Sequence, residues 1–175
     1  MPRSASNPKV NAAGFARWVK EYNKSGVAFS SRPSNADKLL LDDYYLVSSD
    51  LKRAVQSSQI MAGDTPQLQL PILREMDIPR FKVPLKMNAW SWVYLNRALW
   101  ILGGKGRFET FVQGKARAKE ASEILSQLAG EHKKVAVFGH GYTNIYIRKY
   151  LIKAGWQLSQ KSNEFWGVSR LTAPK

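Results

Sequence analysis

Two short segments concentrate residue types that handle anions. In Phe138-Gly139-His140-Gly141 an imidazole stands between two glycines, directly after the apolar run Val135 to Phe138. In Ser48-Ser49-Asp50-Leu51-Lys52-Arg53, hydroxyls, a carboxylate and two cations follow a second short run, Tyr44 to Val47. A histidine titrates near neutral pH, and a guanidinium presents a planar fork of donors to phosphoryl or carboxylate oxygens. The glycines beside His140 let the backbone turn sharply and let a ligand approach closely. Arg53 in the first turn of a helix is unfavourable towards the macrodipole, and an anion held there would offset this. The competing reading of Arg53 is a solvated surface arginine. With no cysteine and only His132 and His140, thiolate nucleophiles, disulfides and thiolate zinc sites are excluded. A histidine-rich metal site is also not expected, and no cofactor is expected. His132, beside Lys133 and Lys134, reads as a solvated loop residue.

The elements that must position these groups alternate in type. Asn11 is suited to cap a helix whose Phe15, Trp18, Val19 and Tyr22 recur at helical spacing, and Gly26 stops it. Tyr44 to Val47 reads as a strand, Ser48 to Asp50 as a tight turn, and Leu51 to Ala62 as a helix ending at Gly63. Residues 67–73 suggest another strand, and Pro79 and Pro84 make 76–87 an extended loop. Helices follow from Asn88 to Gly103 and from Thr110 to Ala129. The fully apolar run at Val135 reads as a buried strand, with a helix from Tyr142 to Ala154 and a last strand within 165–172. This alternation predicts an α/β fold, a three-layer sandwich whose mostly parallel central sheet carries helices on both faces. The strands ending near Ser48 and Phe138 are expected to be neighbours, opening both turns on one edge. Residues 1–11 read as a flexible leader and 12–175 as a single domain.

At these turns the chain resembles the histidine phosphatase superfamily, the phosphoglycerate mutase-like proteins. SSDLKRAVQSSQIM, Ser48 to Met61, is similar to that family's Ser-Asp-Leu-Arg-Ala segment, and VAVFGHGYTNIYIRKYL, Val135 to Leu151, resembles its second histidine motif. Leu73-Arg74-Glu75 is similar to its acid/base glutamate segment, Phe108-Glu109-Thr110 to the start of its penultimate helix, and Gly167 to Leu171 to its last strand. The resemblance implies a pocket in which Arg53, Ser49, Gly141 and His140 bind phosphoryl oxygens. It implies too that His140 contacts the phosphoryl group as a catalytic residue, and that Glu75 moves the leaving-group proton. The other reading of Glu75 is a surface carboxylate or a salt bridge to Arg74 or Arg80; Glu109 is assigned a structural role.

One departure is decisive for mechanism. The family begins with a strand ending in Arg-His-Gly, whose histidine attacks phosphorus, and this chain contains no such triplet. If Arg17 is aligned with the family arginine, Trp18 replaces the nucleophile, and an indole cannot attack phosphorus. The chain thus resembles a divergent branch, in which Arg17 or Lys20 are further candidates to reach the pocket.

Three functions compete. The first is a protein that binds phosphate or a phosphorylated small molecule in a basic pocket without the phosphohistidine cycle. The second is an active phosphomonoesterase using His140, with Glu75 as its acid partner. The third is a polyanion or nucleic-acid binding module that draws on the net charge of +14 and on Trp90, Trp92 and Trp100. Nucleic acid is the less favoured partner, because the charge is spread along the chain rather than gathered in a tail and the tryptophans lie in apolar helical segments. The Trp90 to Trp100 segment is a candidate lid or homodimer contact. No run approaches the roughly 20 apolar residues that span a bilayer, and residues 1–11 carry no secretory signal. A cytoplasmic protein without a membrane partner is expected.

Overall fold

The computed structural model of the 175-residue chain describes residues 6–33 and 41–174. Its helices arise where apolar spacing, caps and stops agree. Helix α1 (Ala12–Lys24) is capped by the Asn11 side chain, which accepts from the Gly14 N–H at 2.9 Å, and it buries Phe15, Trp18 and Val19. Helix α2 (Lys52–Ala62) ends at Gly63, whose φ of 76° is left-handed and suits a residue without a Cβ. Helices α3 (Ala89–Ile101), α4 (Phe111–His132) and α5 (Gly141–Lys153) complete the set. Thr110 and Gln113 form a reciprocal capping box at the start of α4.

The parallel sheet is present but small. Strands β2 (Tyr45–Ser48), β3 (Leu68–Gln69) and β5 (Val135–Phe138) lie in the order β3-β2-β5, and β2 pairs with β5 so that Ser48 faces Phe138. Only two residues of the 67–73 segment are strand; Pro71–Leu73 form a 3-10 turn. Two antiparallel ladders stand apart from this sheet. Strand β1 (Lys9–Asn11) pairs with β4 (Lys86–Asn88), and β6 (Gln157–Gln160) pairs with β7 (Arg170–Thr172). The last strand is therefore shorter than 165–172 and joins a hairpin instead of the parallel sheet. Residues 6–11, read from sequence as part of a flexible leader, are tied in by backbone and side-chain bonds. The Ser6 carbonyl accepts from Trp18 Nε1, the Pro8 carbonyl from the Ala89 N–H, and Asn7 Oδ1 from the Trp90 N–H. Residues 1–5 of that leader lie outside the described residues.

Two apolar clusters use the aromatic wealth of the chain. One joins Val47, Leu73, Met76, Trp100, Ala121 and Ile147 between the sheet and α3, α4 and α5. The other joins Phe15, Trp18, Val19, Ile78 and Trp92, in which Phe15 stacks on both Trp18 and Trp92. Trp92 and Trp100 are wholly buried within the chain, so they offer no ring face to a stacking base or a partner; the outward residues of this segment are Tyr94, Ala98 and Ile101. His132 is the last residue of α4 rather than a loop residue, and its half-exposed ring stacks on Tyr45 with centroids 3.7 Å apart. No helix among the described residues is long and apolar enough to cross a membrane.

Candidate functional site

Because β2 and β5 are parallel neighbours in matching register, both end at one edge of the sheet. The helices that follow them, α2 and α5, both begin there. The Ser49 N–H extends the pairing by donating to the Phe138 carbonyl at 3.1 Å, which brings the two turns together. Ser49 is fully buried, and its Oγ lies 2.6 Å from His140 Nε2. The same oxygen accepts from the Leu51 N–H at 3.4 Å, and with a second lone pair and its own proton it meets Nε2 as acceptor or donor, as the imidazole tautomer sets. Burial, followed by the charges of Arg53 and Arg117, pushes the His140 pKa from 6.5 down to about 3, against the opposing influence of Asp50. At neutral pH the ring is uncharged. The glycine before it serves close approach rather than a left-handed backbone: a Cβ on Gly139 would come within 2.3 Å of Asn144 Oδ1.

Arg53 is buried, not a solvated surface residue. Its Nη1 donates to the Asn23 carbonyl at 3.3 Å and to the Tyr22 carbonyl at 3.5 Å, at the C-terminal end of α1, and its guanidinium lies 5.3 Å from the Tyr22 ring centre. Among the described residues no carboxylate forms a salt bridge with it. Burial lowers its pKa, and Tyr22 and Glu75 oppose that shift. Burial likewise raises the Tyr22 pKa, while the charges of Arg53, Glu75 and Arg97 act on the same hydroxyl. Tyr22, Arg53, Glu75 and Arg97 therefore occupy one electrostatic neighbourhood, although they come from α1, α2, the 74–85 loop and α3.

Glu75 pairs with neither Arg74 nor Arg80. Arg74 is bound to Asp50, with Nε 2.6 Å from Oδ1, and Arg80 donates to the Arg107 carbonyl. Glu75 Oε1 instead accepts from the Met76 N–H at 3.0 Å and the Thr143 N–H at 3.3 Å, seating the carboxylate at the N-terminus of α5, where the helix dipole favours negative charge. The carboxylate lies beside Gly141, where an added Cβ would stand 3.8 Å from Glu75 Oε2, at ordinary contact distance. Thr143 closes the arrangement by donating its hydroxyl to the Arg74 carbonyl at 2.8 Å. A cavity of about 240 Å³ opens on this side, its lining including Asn23, Leu51, Glu75, Met76 and Asp77. Arg53 and His140 are not in its wall; Arg53 reaches it through its bond to the Asn23 carbonyl.

Glu109 is structural. It forms a two-pronged bond with Arg117, at 2.6 Å to Nε and 2.8 Å to Nη2, and Arg117 Nη1 donates to the carbonyls of Ile72 and Arg74. Arg17 and Lys20 are exposed on α1 with no bond to the site, since they fall on the face opposite Phe15, Trp18, Val19 and Tyr22. What α1 contributes is Tyr22, read from sequence as part of the apolar stripe, and Asn23, which the sequence did not single out. Arg97, Arg117 and Thr143 were missed as well. Arg97 did leave a signal, as a charge on the same helical face as Trp100.

The geometry thus gathers Ser49, Arg53, Glu75, His140 and Gly141 at one sheet edge and leaves Arg17 and Lys20 outside. A family model described as histidine phosphatase superfamily (branch 1) matches residues 36–165, from just before β2 to beyond β6. No curated protein and no solved structure matches the chain. The matched stretch starts downstream of α1, in keeping with the lack of an Arg-His-Gly triplet anywhere in the sequence. With the motifs in family order on a parallel α/β sheet and most of the chain covered, the protein belongs to the histidine phosphatase superfamily.

Proposed function

We propose that the chain binds inorganic phosphate, or the phosphoryl group of a phosphorylated small molecule, between Arg53 and His140 without a phosphohistidine cycle. Membership of the superfamily points to a phosphate-related function. The observation that carries the finer reading is a buried guanidinium, bonded only to two main-chain carbonyls, set beside the one histidine at the edge where α2 and α5 begin. Arg53 supplies the positive charge, His140 a neutral imidazole N–H, and Gly141 an early helical N–H. Ser49 binds phosphate only indirectly in this reading, by fixing the imidazole. The helices are taken to cover both faces of the small sheet, as in a three-layer sandwich.

Arg53→Ala should weaken phosphate binding by about 1.5–3 kcal/mol, the usual scale for a charge-assisted hydrogen bond. Arg53→Lys should recover only part, because the planar fork is lost. Calorimetric titration checks both, and equal affinity in wild type and Arg53→Ala removes the reading.

A specific observation favours a second reading, an active phosphomonoesterase. An uncharged imidazole is the form a nucleophile or base requires, and Glu75 is seated at the adjacent helix terminus. Yet Nε2 is engaged by Ser49, and no second histidine stands nearby. Rapid quenching at neutral or alkaline pH with a labelled phosphoryl donor should therefore show no acid-labile phosphohistidine. A stoichiometric phosphoenzyme absent from His140→Ala would replace the binding reading with the enzymatic one.

A further inference from the structure

Arg97 is the least explained charge in the molecule. It is 7% exposed, yet among the described residues it has no salt bridge. Its Nη2 donates to the Met76 carbonyl at 2.8 Å, and its guanidinium lies 4.7 Å from the Trp100 ring centre and 4.4 Å from that of Tyr142. Its Nη1 is buried and has no hydrogen-bond partner among the described residues. A buried unsatisfied donor is costly, and an unsatisfied donor on a cation more so. Such a group calls for a cause.

The neighbours do not supply one. The carboxylates of Glu75, Asp77 and Glu109 all bear electrostatically on Arg97, but each is committed elsewhere. Glu75 caps α5, Asp77 Oδ2 accepts from the Glu109 N–H at 3.0 Å, and Glu109 holds Arg117. The guanidinium is thus compensated from a distance and left with a free N–H. Its place matters too. Tyr142 belongs to the first turn of α5, two residues after His140, and Met76 follows the glutamate that caps the same helix. The Tyr22 hydroxyl feels Arg53 and Arg97 together.

We propose that Arg97 is a second guanidinium of the phosphate pocket, its Nη1 reserved for an oxyanion that Arg53 and the N-terminus of α5 also hold. The proposal rests on the phosphate-binding reading and deepens it: the seat clamps one phosphoryl group from α2 and α3 at once. In a chain without the Arg-His-Gly strand motif, this gives the pocket its second cation from a helix that carries none of the family motifs.

The test titrates inorganic phosphate into wild type, Arg53→Ala, Arg97→Met and Arg97→Lys, with a urea unfolding curve for each variant. Arg97→Met keeps the stem and removes the charge, and it should lower phosphate affinity tenfold or more. Its unfolding midpoint in the absence of phosphate should be unchanged or higher, because an unsatisfied buried cation has gone. Arg97→Lys, which keeps a cation, should fall between Met and wild type, and it carries the test if the Met variant does not fold. Affinity within twofold of wild type in Arg97→Met and Arg97→Lys, with Arg53→Ala impaired, makes Arg97 a structural cation; the proposal is then overturned while the Arg53 and His140 reading survives. No phosphate binding by wild type overturns both. A tungstate soak should place an oxyanion oxygen within hydrogen-bond distance of Arg97 Nη1.

Discussion

Arg117→Ala should destabilise the protein by about 2–4 kcal/mol and loosen Glu75 at the same time. Arg117 is the clamp of the 72–75 segment. From α4 it binds both oxygens of Glu109 and the carbonyls of Ile72 and Arg74, with the Glu75 carbonyl 3.5 Å from Nη2. The paired side chains are 22% and 18% exposed, which leaves the carboxylate too dry to be rehydrated freely and too wet for the full cost of a deeply buried pair. Removing the guanidinium strands the Glu109 carboxylate, whose other hydrogen bond comes from the Asp77 N–H at 3.4 Å, and takes a donor from the Ile72 and Arg74 carbonyls at once. Urea unfolding measures the loss. Replacing both partners, in Arg117→Met with Glu109→Leu, should recover about half of it, since the uncompensated carboxylate disappears while the Ile72 carbonyl stays without this donor and the Arg74 carbonyl keeps only the Thr143 hydroxyl. A loss below about 1 kcal/mol in Arg117→Ala would show that the segment is held by Thr143 instead.

The contrast between this clamp and the motifs explains what the sequence can and cannot announce. Helix α1 was legible because Asn11, the apolar stripe and the small residue beyond its end speak within a few residues of one another; α4 was legible through the helical spacing of Ala121, Ile124, Leu125 and Leu128. The continuous run at Val135 announced a strand, which is parallel but only partly buried because the sheet it joins is small, and the like turns after β2 and β5 announced a shared edge. The β1–β4 and β6–β7 ladders were not legible. Their strands are three or four residues long, too short for the single alternation of β1, β4 and β7 to register, and they pair across gaps that no local period encodes. The site divides in the same way. Arg53, Glu75 and His140 lie in segments whose residue types point to anion chemistry. Tyr22 sits in an apolar stripe that fully accounts for it, Arg117 meets Glu109 across a helix cap, and Arg97 is polar only at its tip. Their roles exist only once α1, α3 and α4 have packed.

The largest pH effect should come from His140, as a stability that falls with acidity through a range where ordinary surface histidines are neutral in their effect. Unfolded, this imidazole takes its proton near 6.5; folded, it resists protonation down to about 3, chiefly because it is buried and also because Arg53 and Arg117 face it. Below pH 6.5 the unfolded chain therefore binds a proton that the folded chain excludes. Stability is full above that value and is lost progressively as pH falls towards 3. Between pH 6 and pH 4 the loss amounts to about 2–3 kcal/mol, a large share of the 5–15 kcal/mol typical of a domain. Asp50, held below the usual carboxylate range by Arg74, adds its own loss at still lower pH, so a variant must isolate the histidine. His140→Gln keeps a side chain able to meet Ser49 Oγ and cannot titrate. Urea unfolding at intervals from pH 7 to pH 4 should find the stability of the wild type relative to His140→Gln falling by about 2–3 kcal/mol over the last two units. Parallel curves for the two proteins would mean that the folded imidazole protonates freely, and with that the neutral N–H offered to a phosphoryl group at moderately acid pH would be lost. Phosphate bound in the pocket should pull the other way, because an anion beside His140 favours the imidazolium and opposes the influence of Arg53 and Arg117. Saturating phosphate should thus flatten the acid slope of the wild type more than that of His140→Gln, which senses only the titration of the phosphate itself.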